Sequence, residues 1–282
     1  MKYNILFLLF LLLSLSVIAQ HRSELVIMTY NLRYDNNWDS INAWDNRKER
    51  LSDQIILQKP DILDVQEALI SQMNYLSSRL AGFKHVGVGR DDGIEKGEFS
   101  AIFYNNKKYE LLDQGNFWLS ETPEVPGSMG WDAACTRICS WAKLKDRKQK
   151  NIFFVFNTHW DHIGIKARTN SASLIAARIQ KIAGTQDVIL SGDFNCTLES
   201  QELKELLKEK PVLTSVRAKC KAEGPDYSYT GFKVGGSVKP ELIDYIFVAE
   251  KIKVSSCRFL DDSYQGNYLS DHLPLVAHLS FP

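Results

Sequence analysis

An excess of charge of either sign is missing from this chain of 282 residues: 34 lysines and arginines stand against 34 aspartates and glutamates, a formal net charge of zero. Proteins that hold a long polyanion through many phosphate contacts carry a positive field, so the balance disfavours extended nucleic acid and favours a small or membrane-borne ligand. Cysteine is sparse: Cys135, Cys139, Cys196, Cys220 and Cys257 show no CxxC spacing, which removes the common zinc and dithiol redox sites. The six histidines form no HxH pair or histidine-rich cluster. There is no low-complexity tract, like-charge block, internal repeat or linker either, so nothing divides the chain after its first twenty residues.

Only one long apolar run is present. It extends from Ile5 to Ile18, follows Lys2 and ends at small Ala19. It is shorter than the roughly 20 residues a spanning helix needs and has no positively charged stop after it. Residues 1–20 are therefore expected to be a signal peptide, cleaved after Ala19 or Gln20, and residues 21–282 an exported domain, periplasmic or extracellular, with no membrane span after cleavage. No cysteine follows the run to accept a lipid. In an oxidising compartment five cysteines form at most two disulfides. Cys135 and Cys139 either pair with each other or serve as small buried residues of a strand.

Segments rich in β-branched and aromatic residues recur at Leu25–Leu32, Asp61–Val65, Ser100–Asn105, Arg137–Leu144, Asn151–Thr158, Asp187–Ser191, Ile243–Val248, Val254–Phe259 and Pro274–Phe281. Helical patterns run over Ala43–Gln58 ahead of Pro60, Ala68–Leu80 ahead of Gly82, Ala167–Ala183 ahead of Gly184, and Leu198–Lys208 ahead of Pro211. Consecutive strands without intervening helices imply hairpins, and hence an α/β fold in which mixed sheets pack together under helices.

Polar residues fall where these apolar runs end. Asn31 closes TYN, Glu67 follows DVQ, His159 closes FFVFNTH, Asp193 and Asn195 close VILSGDFN, Asp244 opens DYIFV, and Asp271 and His272 precede LPLV. Strand-end side chains lie on one rim and can converge. Phosphoester hydrolysis needs neutralised phosphoryl oxygens, an aligned water with a base, and help for the leaving oxygen. Glu67, Asn31 and Asp271 are hard oxygen ligands of the kind Mg2+ takes, with Mn2+ as a substitute. His272 needs a carboxylate to fix its tautomer, which Asp244 can supply. Asp193 is then free to act as the base, and Asn195 to hold the water.

The ordered series TYNLR, QE, THWDH, GDFN, IDYIF and SDHLPL resembles the endonuclease/exonuclease/phosphatase superfamily, which includes DNase I and the neutral sphingomyelinases, from about Leu25 to the C-terminus. The resemblance implies a four-layered α/β sandwich, two packed mixed sheets flanked by helices. It implies Glu67 as principal metal ligand with Asn31 and Asp271 near the metal or phosphate, and Asp193 as the water-activating residue supported by Asn195. It further implies His159 and His272 gripping the phosphate, Asp244 behind His272, and Arg137 facing the phosphate. The extended version THWDHIGIKAR is similar to a subgroup of secreted bacterial members, and adds Asp161, His162 and Arg168 as substrate contacts; for His162 the alternative is a structural histidine bonded to a loop carbonyl, and for Arg168 a solvated or salt-bridged residue opening a helix. Neither a long membrane-inserting aromatic hairpin nor the basic loops of nuclease members is evident.

The expectation is a monomeric, secreted, magnesium-dependent phosphoesterase acting on a small molecule or lipid headgroup, with a secreted nuclease as the alternative. A non-catalytic binding module would have to keep base, ligands and histidine pair unused. A zinc hydrolase is disfavoured, because THWDH supplies only half of an HxHxDH signature. Trp118 and Trp131 around the turn-rich loop LSETPEVPGSMG, and Tyr229 and Phe232 in YSYTGF, are either stacking platforms for a sugar or base, or core.

Overall fold

The computed structural model describes residues 24–235 and 241–282, so the expected signal peptide lies outside the described residues. The chain runs β1 (Glu24–Asn31), α1 (Trp44–Gln58), β2 (Ile62–Ala68), α2 (Ile70–Arg79), β3 (Phe83–Val86), β4 (Phe99–Asn105), β5 (Tyr109–Trp118), β6 (Ile138–Asp146) and β7 (Ile152–His159). It continues through α3 (Ile165–Ala183), β8 (Asp187–Asp193), α4 (Gln201–Lys208), β9 (Leu213–Ser215), α5 (Val216–Lys219), β10 (Ala222–Glu223), β11 (Asp244–Ala249), β12 (Lys253–Phe259), β13 (Ser263–Tyr264), β14 (Asn267–Tyr268) and β15 (Leu275–Ser280). Two mixed sheets result, in the orders β10-β12-β15-β1-β2-β4-β3 and β5-β6-β7-β8-β11-β9, with β13 and β14 as a separate hairpin.

Every expected strand and helix is present, and the boundaries shift for local reasons. α4 begins at Gln201, not near Leu198, because the Ser200 hydroxyl accepts the Leu203 N–H and caps the first turn. β5 was not anticipated: YELLDQGNFW carries charges and a glycine, and pairs only with β6 at the sheet edge, where a polar face is tolerated.

The period of two in the strands sorts side chains into three apolar layers. Leu25, Ile27, Ile62, Phe153, Val155, Ile189, Ile246 and Leu275 meet between the sheets. Met28, Tyr30, Leu63, Val65 and Phe103 face outward against Leu51 and Ile55 of α1 and Met73 and Leu76 of α2. Phe154, Phe156, Leu190 and Phe247 face outward on the other side, against Ala172, Ile175 and Ile179 of α3 and Leu203 of α4. Helix, sheet, sheet, helix is therefore the layering, the four-layered architecture that the resemblance implies.

The inter-sheet rows change character along their length. Leu25, Ile27, Thr29 and Asn31 share one face of β1, while Phe153, Val155, Asn157 and His159 share one face of β7. Rows on β8 (Ile189, Ser191, Asp193) and β11 (Val248, Ile246, Asp244) do the same. Each row starts in the apolar core and ends polar at one rim. A hydrogen-bonded stratum separates the two zones: Gln66 Nε2 donates to Thr29 Oγ1 (3.0 Å) and Asn157 Oδ1 (2.7 Å), and Asn157 Nδ2 donates to the carbonyls of Val65 and Ala101.

A disulfide joins Cys220 to Cys257, while Cys135, Cys139 and Cys196 are free. The alternative of a Cys135–Cys139 pair is thus corrected. Cys139 is a buried residue of β6, and half-buried Cys135 lies in the loop before it. No described helix is long and apolar enough to cross a membrane.

Asp64 lies in the inter-sheet space with its Oδ2 accepting the Ser191 hydroxyl at 2.5 Å and its Oδ1 without a partner among the described residues. Burial pushes its carboxyl up to about 8, only partly offset by the Ser191 hydrogen bond. Because the folded protein holds this proton more tightly than the unfolded chain, the contribution is full below the unfolded value near 4 and is lost as pH rises through 8. Urea titrations of Asp64→Asn between pH 4 and 8 are expected to give a flatter stability profile than wild type. An unchanged slope would contradict this assignment.

Candidate active site

The rim is assembled by strand register. In the run β7-β8-β11, His159 is level with Asp193 and Asp193 with Asp244, so three site residues stand side by side on adjacent strand ends. Gly192 makes this possible: with φ +145°, an added Cβ would sit 1.9 Å from the Thr158 carbonyl oxygen. After Asp193 the chain turns sharply, with Asn195 in the left-handed region (φ +49°) and its N–H donating to Asp193 Oδ1 at 2.9 Å.

The opposite sheet brings Asn31 and Glu67. Asn31 has the parity of Leu25 and Ile27 and so points between the sheets. Strict alternation would send Glu67 outward with Leu63 and Val65, but a register shift between Val65 and Ala68 and a left-handed backbone at Glu67 (φ +61°) re-aim it. Asn31 Nδ2 donates to Glu67 Oε1 and to Asp193 Oδ2, each at 3.0 Å, and its Oδ1 accepts the Arg33 N–H. The amide orientation is thereby fixed, and Asn31 serves as a bridge between carboxylates with its oxygen already engaged.

His272 Nδ1 pairs with Asp244 Oδ2 at 2.7 Å, leaving its Nε2 3.7 Å from Asp193 Oδ2. His159 approaches the same oxygen from the other side, Nε2 at 3.5 Å, with its Nδ1 3.8 Å from Glu98. Burial lowers the proton affinity of both rings, but the Asp244 and Asp193 charges outweigh it at His272, which is raised well above the ordinary histidine value. At His159, burial and the Arg137 charge act together and hold the ring neutral. One charged and one neutral imidazole therefore flank Asp193. Asp193 is itself pushed up to about 7 by burial and by the neighbouring Asp244 charge.

Together Arg33, Tyr34, Glu67, Arg90, Glu98, Cys135, Arg137, His159, His162, Asp193, Asn195, Tyr229, Glu241, Ile243, Asp271 and His272 line a cleft of about 470 Å³. Asp244 sits behind His272 and Asn31 beneath Glu67 and Asp193. Arg137 is buried and reaches the cleft. Its Nη2 contacts His162 Nδ1 at 3.0 Å, and its Nη1 has no partner among the described residues.

Two residues read as substrate contacts are not in the lining. Asp161 is buried, and its two oxygens accept N–H groups from Ala134, Cys135, Ile163 and Gly164 and the Arg137 Nε. Burial alone would raise its carboxyl, yet those backbone donors bring it down to about 2. It knots the loop and holds Arg137. Arg168 donates to Glu202 (3.1 Å) and to the Asp161 carbonyl (3.0 Å), which ties α3 to α4 and to that loop. Trp118 is core, its Nε1 donating to the Arg90 carbonyl, and Phe232 is buried, whereas the Tyr229 ring packs edge-on against His272 at 5.1 Å.

Sequence reasoning missed Arg33, Arg90 and Glu98. Arg33 belongs to the TYNLR motif itself, and Glu98 stands immediately before β4 as Asp244 opens β11, so the strand-end rule reaches both. Glu98 is held by both Arg90 Nη atoms (2.6 and 2.8 Å).

Glu67, Asp271, Asp193, Asp244 and Glu98 concentrate negative charge here. Asp271 is pushed up to about 6 by burial and the Glu67 charge, and Glu98 is raised by burial and Glu67 as well. Buried carboxylates so loaded accommodate a hard divalent cation, and oxygen donors are the set Mg2+ prefers. Glu67 and Asp271 fit that role. Asp193, Asp244 and His272 also bring donor atoms within 4.8 Å of one another, but there His272 Nδ1 is committed to Asp244.

Asp161→Asn removes the charge that five N–H donors share and leaves Arg137 without its carboxylate. It is expected to lower stability by about 2–3 kcal/mol in denaturant unfolding, a cost on the scale of buried charge-assisted hydrogen bonds. A change within error would show that the loop holds without it.

A profile of the Endonuclease/Exonuclease/phosphatase family matches residues 28–272. The crystal structure of the endonuclease/exonuclease/phosphatase from Bacteroides vulgatus is similar at 38% identity and TM-score 0.89, covering 93% of this chain and 100% of that one. A mannosyl-6-phosphatase from Bacteroides thetaiotaomicron is similar at 36% identity and TM-score 0.86, covering 91% and 100%. Protein L388 of Acanthamoeba polyphaga mimivirus is 26% identical over 261 residues, 86% of this chain and 94% of that protein. The matched span contains every strand end that builds the cleft, from Asn31 to His272, and the chain belongs to the endonuclease/exonuclease/phosphatase family.

Proposed function

We propose that the chain is an exported, metal-dependent phosphoesterase that cleaves small phosphate esters, sugar phosphates foremost. The observation that carries this reading is the position of Asp193 between His159 and His272, with Asn31 bridging it to Glu67. The likeness to a mannosyl-6-phosphatase supports a phosphosugar. Long nucleic acid is disfavoured because Arg33, Arg90 and Arg137 on the cleft wall are engaged by Asp39, Glu98 and Asp161.

Glu67 and Asp271 would hold Mg2+, or Mn2+ in its place; when bound, such an ion neutralises phosphoryl and leaving-group oxygens. The chain's own groups do the rest. Asp193 takes the proton of the attacking water. Asn195, whose Nδ2 is spent on the Trp160 carbonyl at 3.0 Å, orients that water through its amide oxygen. His272, charged by its pairing with Asp244, donates from Nε2 to a phosphoryl oxygen, and Arg137 Nη1 supplies a second donor. His159 accepts or donates as a neutral ring beside Asp193.

Asp193→Asn and His272→Ala are each expected to lower kcat by about 10²–10⁴-fold while circular dichroism stays that of wild type. Near-normal rates in both would sink these roles. Glu67→Gln is expected to shift the magnesium titration to higher concentration, since a neutral oxygen replaces a charged one; an unmoved midpoint would place the ion elsewhere. The class is tested by mannose 6-phosphate, p-nitrophenyl phosphate, its diester, sphingomyelin and plasmid DNA, each with Mg2+ or EDTA. Phosphate release from the monoesters alone supports the proposal, DNA nicking alone replaces it with a nuclease, and silence throughout contradicts catalysis.

A further inference from the structure

Arg47, on α1, is a buried cation whose side-chain hydrogen bonds all go to main-chain carbonyls. Its Nε donates to Asn42 (2.8 Å), its Nη1 to Leu32 (2.6 Å) and Leu269 (3.2 Å), and its Nη2 to Arg33 (2.8 Å). The Trp44 and Phe232 rings lie 5.1 and 5.5 Å from the guanidinium carbon. Taking a cation out of water is costly. Here the converging carbonyl dipoles offset that cost, helped at longer range by Asp271 and Asp39.

Which carbonyls these are decides what the residue does. Leu32 and Arg33 directly follow Asn31, and Leu269 stands just ahead of Ser270, Asp271 and His272. One guanidinium therefore ties the segment that carries the Asn31 bridge to the segment that carries Asp271 and His272. Ser270 repeats the tie, its Oγ donating to the Asn31 carbonyl at 2.7 Å. The Asp271 carbonyl in turn accepts the N–H groups of Thr230 (2.7 Å) and Gly231 (3.2 Å), next to the Phe232 that faces Arg47. Arginine suits such a junction because its planar fork aims five N–H donors in fixed directions. Lysine offers three on a flexible stem and satisfies fewer of the converging carbonyls.

We propose that Arg47 is a positioning residue for the catalytic cleft: its fork holds the Asn31–Arg33 and Leu269–His272 segments at a fixed separation, and so sets where Asp271 meets a cation and where His272 meets a phosphate. The link to turnover rests on the phosphoesterase reading above. The link to cation affinity rests on Glu67 and Asp271 as the ligands and is measured without substrate.

Arg47→Lys keeps the charge and loses the fork. Calorimetric titration with Mg2+ alone is expected to show a dissociation constant about 10–100-fold above wild type, the scale on which groups behind a metal ligand act. On mannose 6-phosphate, kcat is expected to fall about 10²-fold, as for other slightly misplaced catalytic groups. Ile55→Val loosens the same helix from its core side and serves as the stability control; it should leave both quantities at their wild-type values. Wild-type Mg2+ affinity in Arg47→Lys, or an equal loss in Ile55→Val, would overturn the proposal. A second variant tests the fork itself. Arg47 lines a cleft of about 320 Å³ between α1 and the β13–β14 hairpin, which gives a small solute access to the place its side chain leaves in Arg47→Ala. Methylguanidinium at non-denaturing concentration is expected to restore Mg2+ affinity to that variant, and urea, of similar shape but neutral, is not. A folded Arg47→Ala that neither solute restores, or that both restore equally, would contradict the proposal; if circular dichroism shows it unfolded, Arg47→Lys decides. If wild type hydrolyses no ester, the phosphoesterase reading fails, and the Mg2+ titrations still decide the role of Arg47.

Discussion

The Asn31 amide joins the two halves of the molecule at their functional end. Its nitrogen binds Glu67 on its own sheet and Asp193 on the other, and its oxygen is fixed by the Arg33 N–H. Two sheets that pack through Ile, Leu and Phe have no intrinsic reason to hold a given offset to a few tenths of an ångström. A buried amide with all its partners in place supplies one, because sliding would leave polar groups desolvated and unpaired. Beneath it, Gln66, Thr29 and Asn157 repeat the device, and Asp64 with Ser191 bridges the sheets again.

Charge is handled by the same economy of position. Three carboxylates in and around the cleft have a designated neighbour: Asp244 takes His272, Glu98 takes Arg90, and Asp161 takes Arg137 and four backbone donors. Asp193 alone is left facing two imidazoles and an amide. In the function proposed above, that position makes Asp193 the base for a bound water and leaves Glu67 and Asp271 to a cation. The family membership and the layering stand independently of that assignment, since they rest on the matched span and on the core.

Much of this was legible in the sequence because the inter-sheet face of each strand reads apolar and then ends in Asn, His or Asp. Register then does what no local pattern specifies, setting His159, Asp193 and Asp244 abreast. Glu67 lines the cleft although alternation alone would have turned it away; its left-handed backbone is invisible in the sequence DVQEA. Asp161 lies outside the cleft, and Arg168 takes the salt-bridged alternative, because a charged residue beside a motif looks the same in sequence whether it faces ligand or ties a loop. The Cys220–Cys257 pairing, 37 residues apart, depends on β12 meeting the chain after α5 and could not be read from spacing.

One buried amide seats the cleft carboxylates of both sheets, and Asn31→Ala tests most directly whether the proposed catalysis depends on it. Phosphate release from mannose 6-phosphate under saturating Mg2+ would be measured with circular dichroism as the control for folding. The expected result is a rate about 10²-fold below wild type, on the scale of other misplaced catalytic groups, in a chain whose secondary structure is intact. A folded variant that hydrolyses the ester at the wild-type rate would contradict the account.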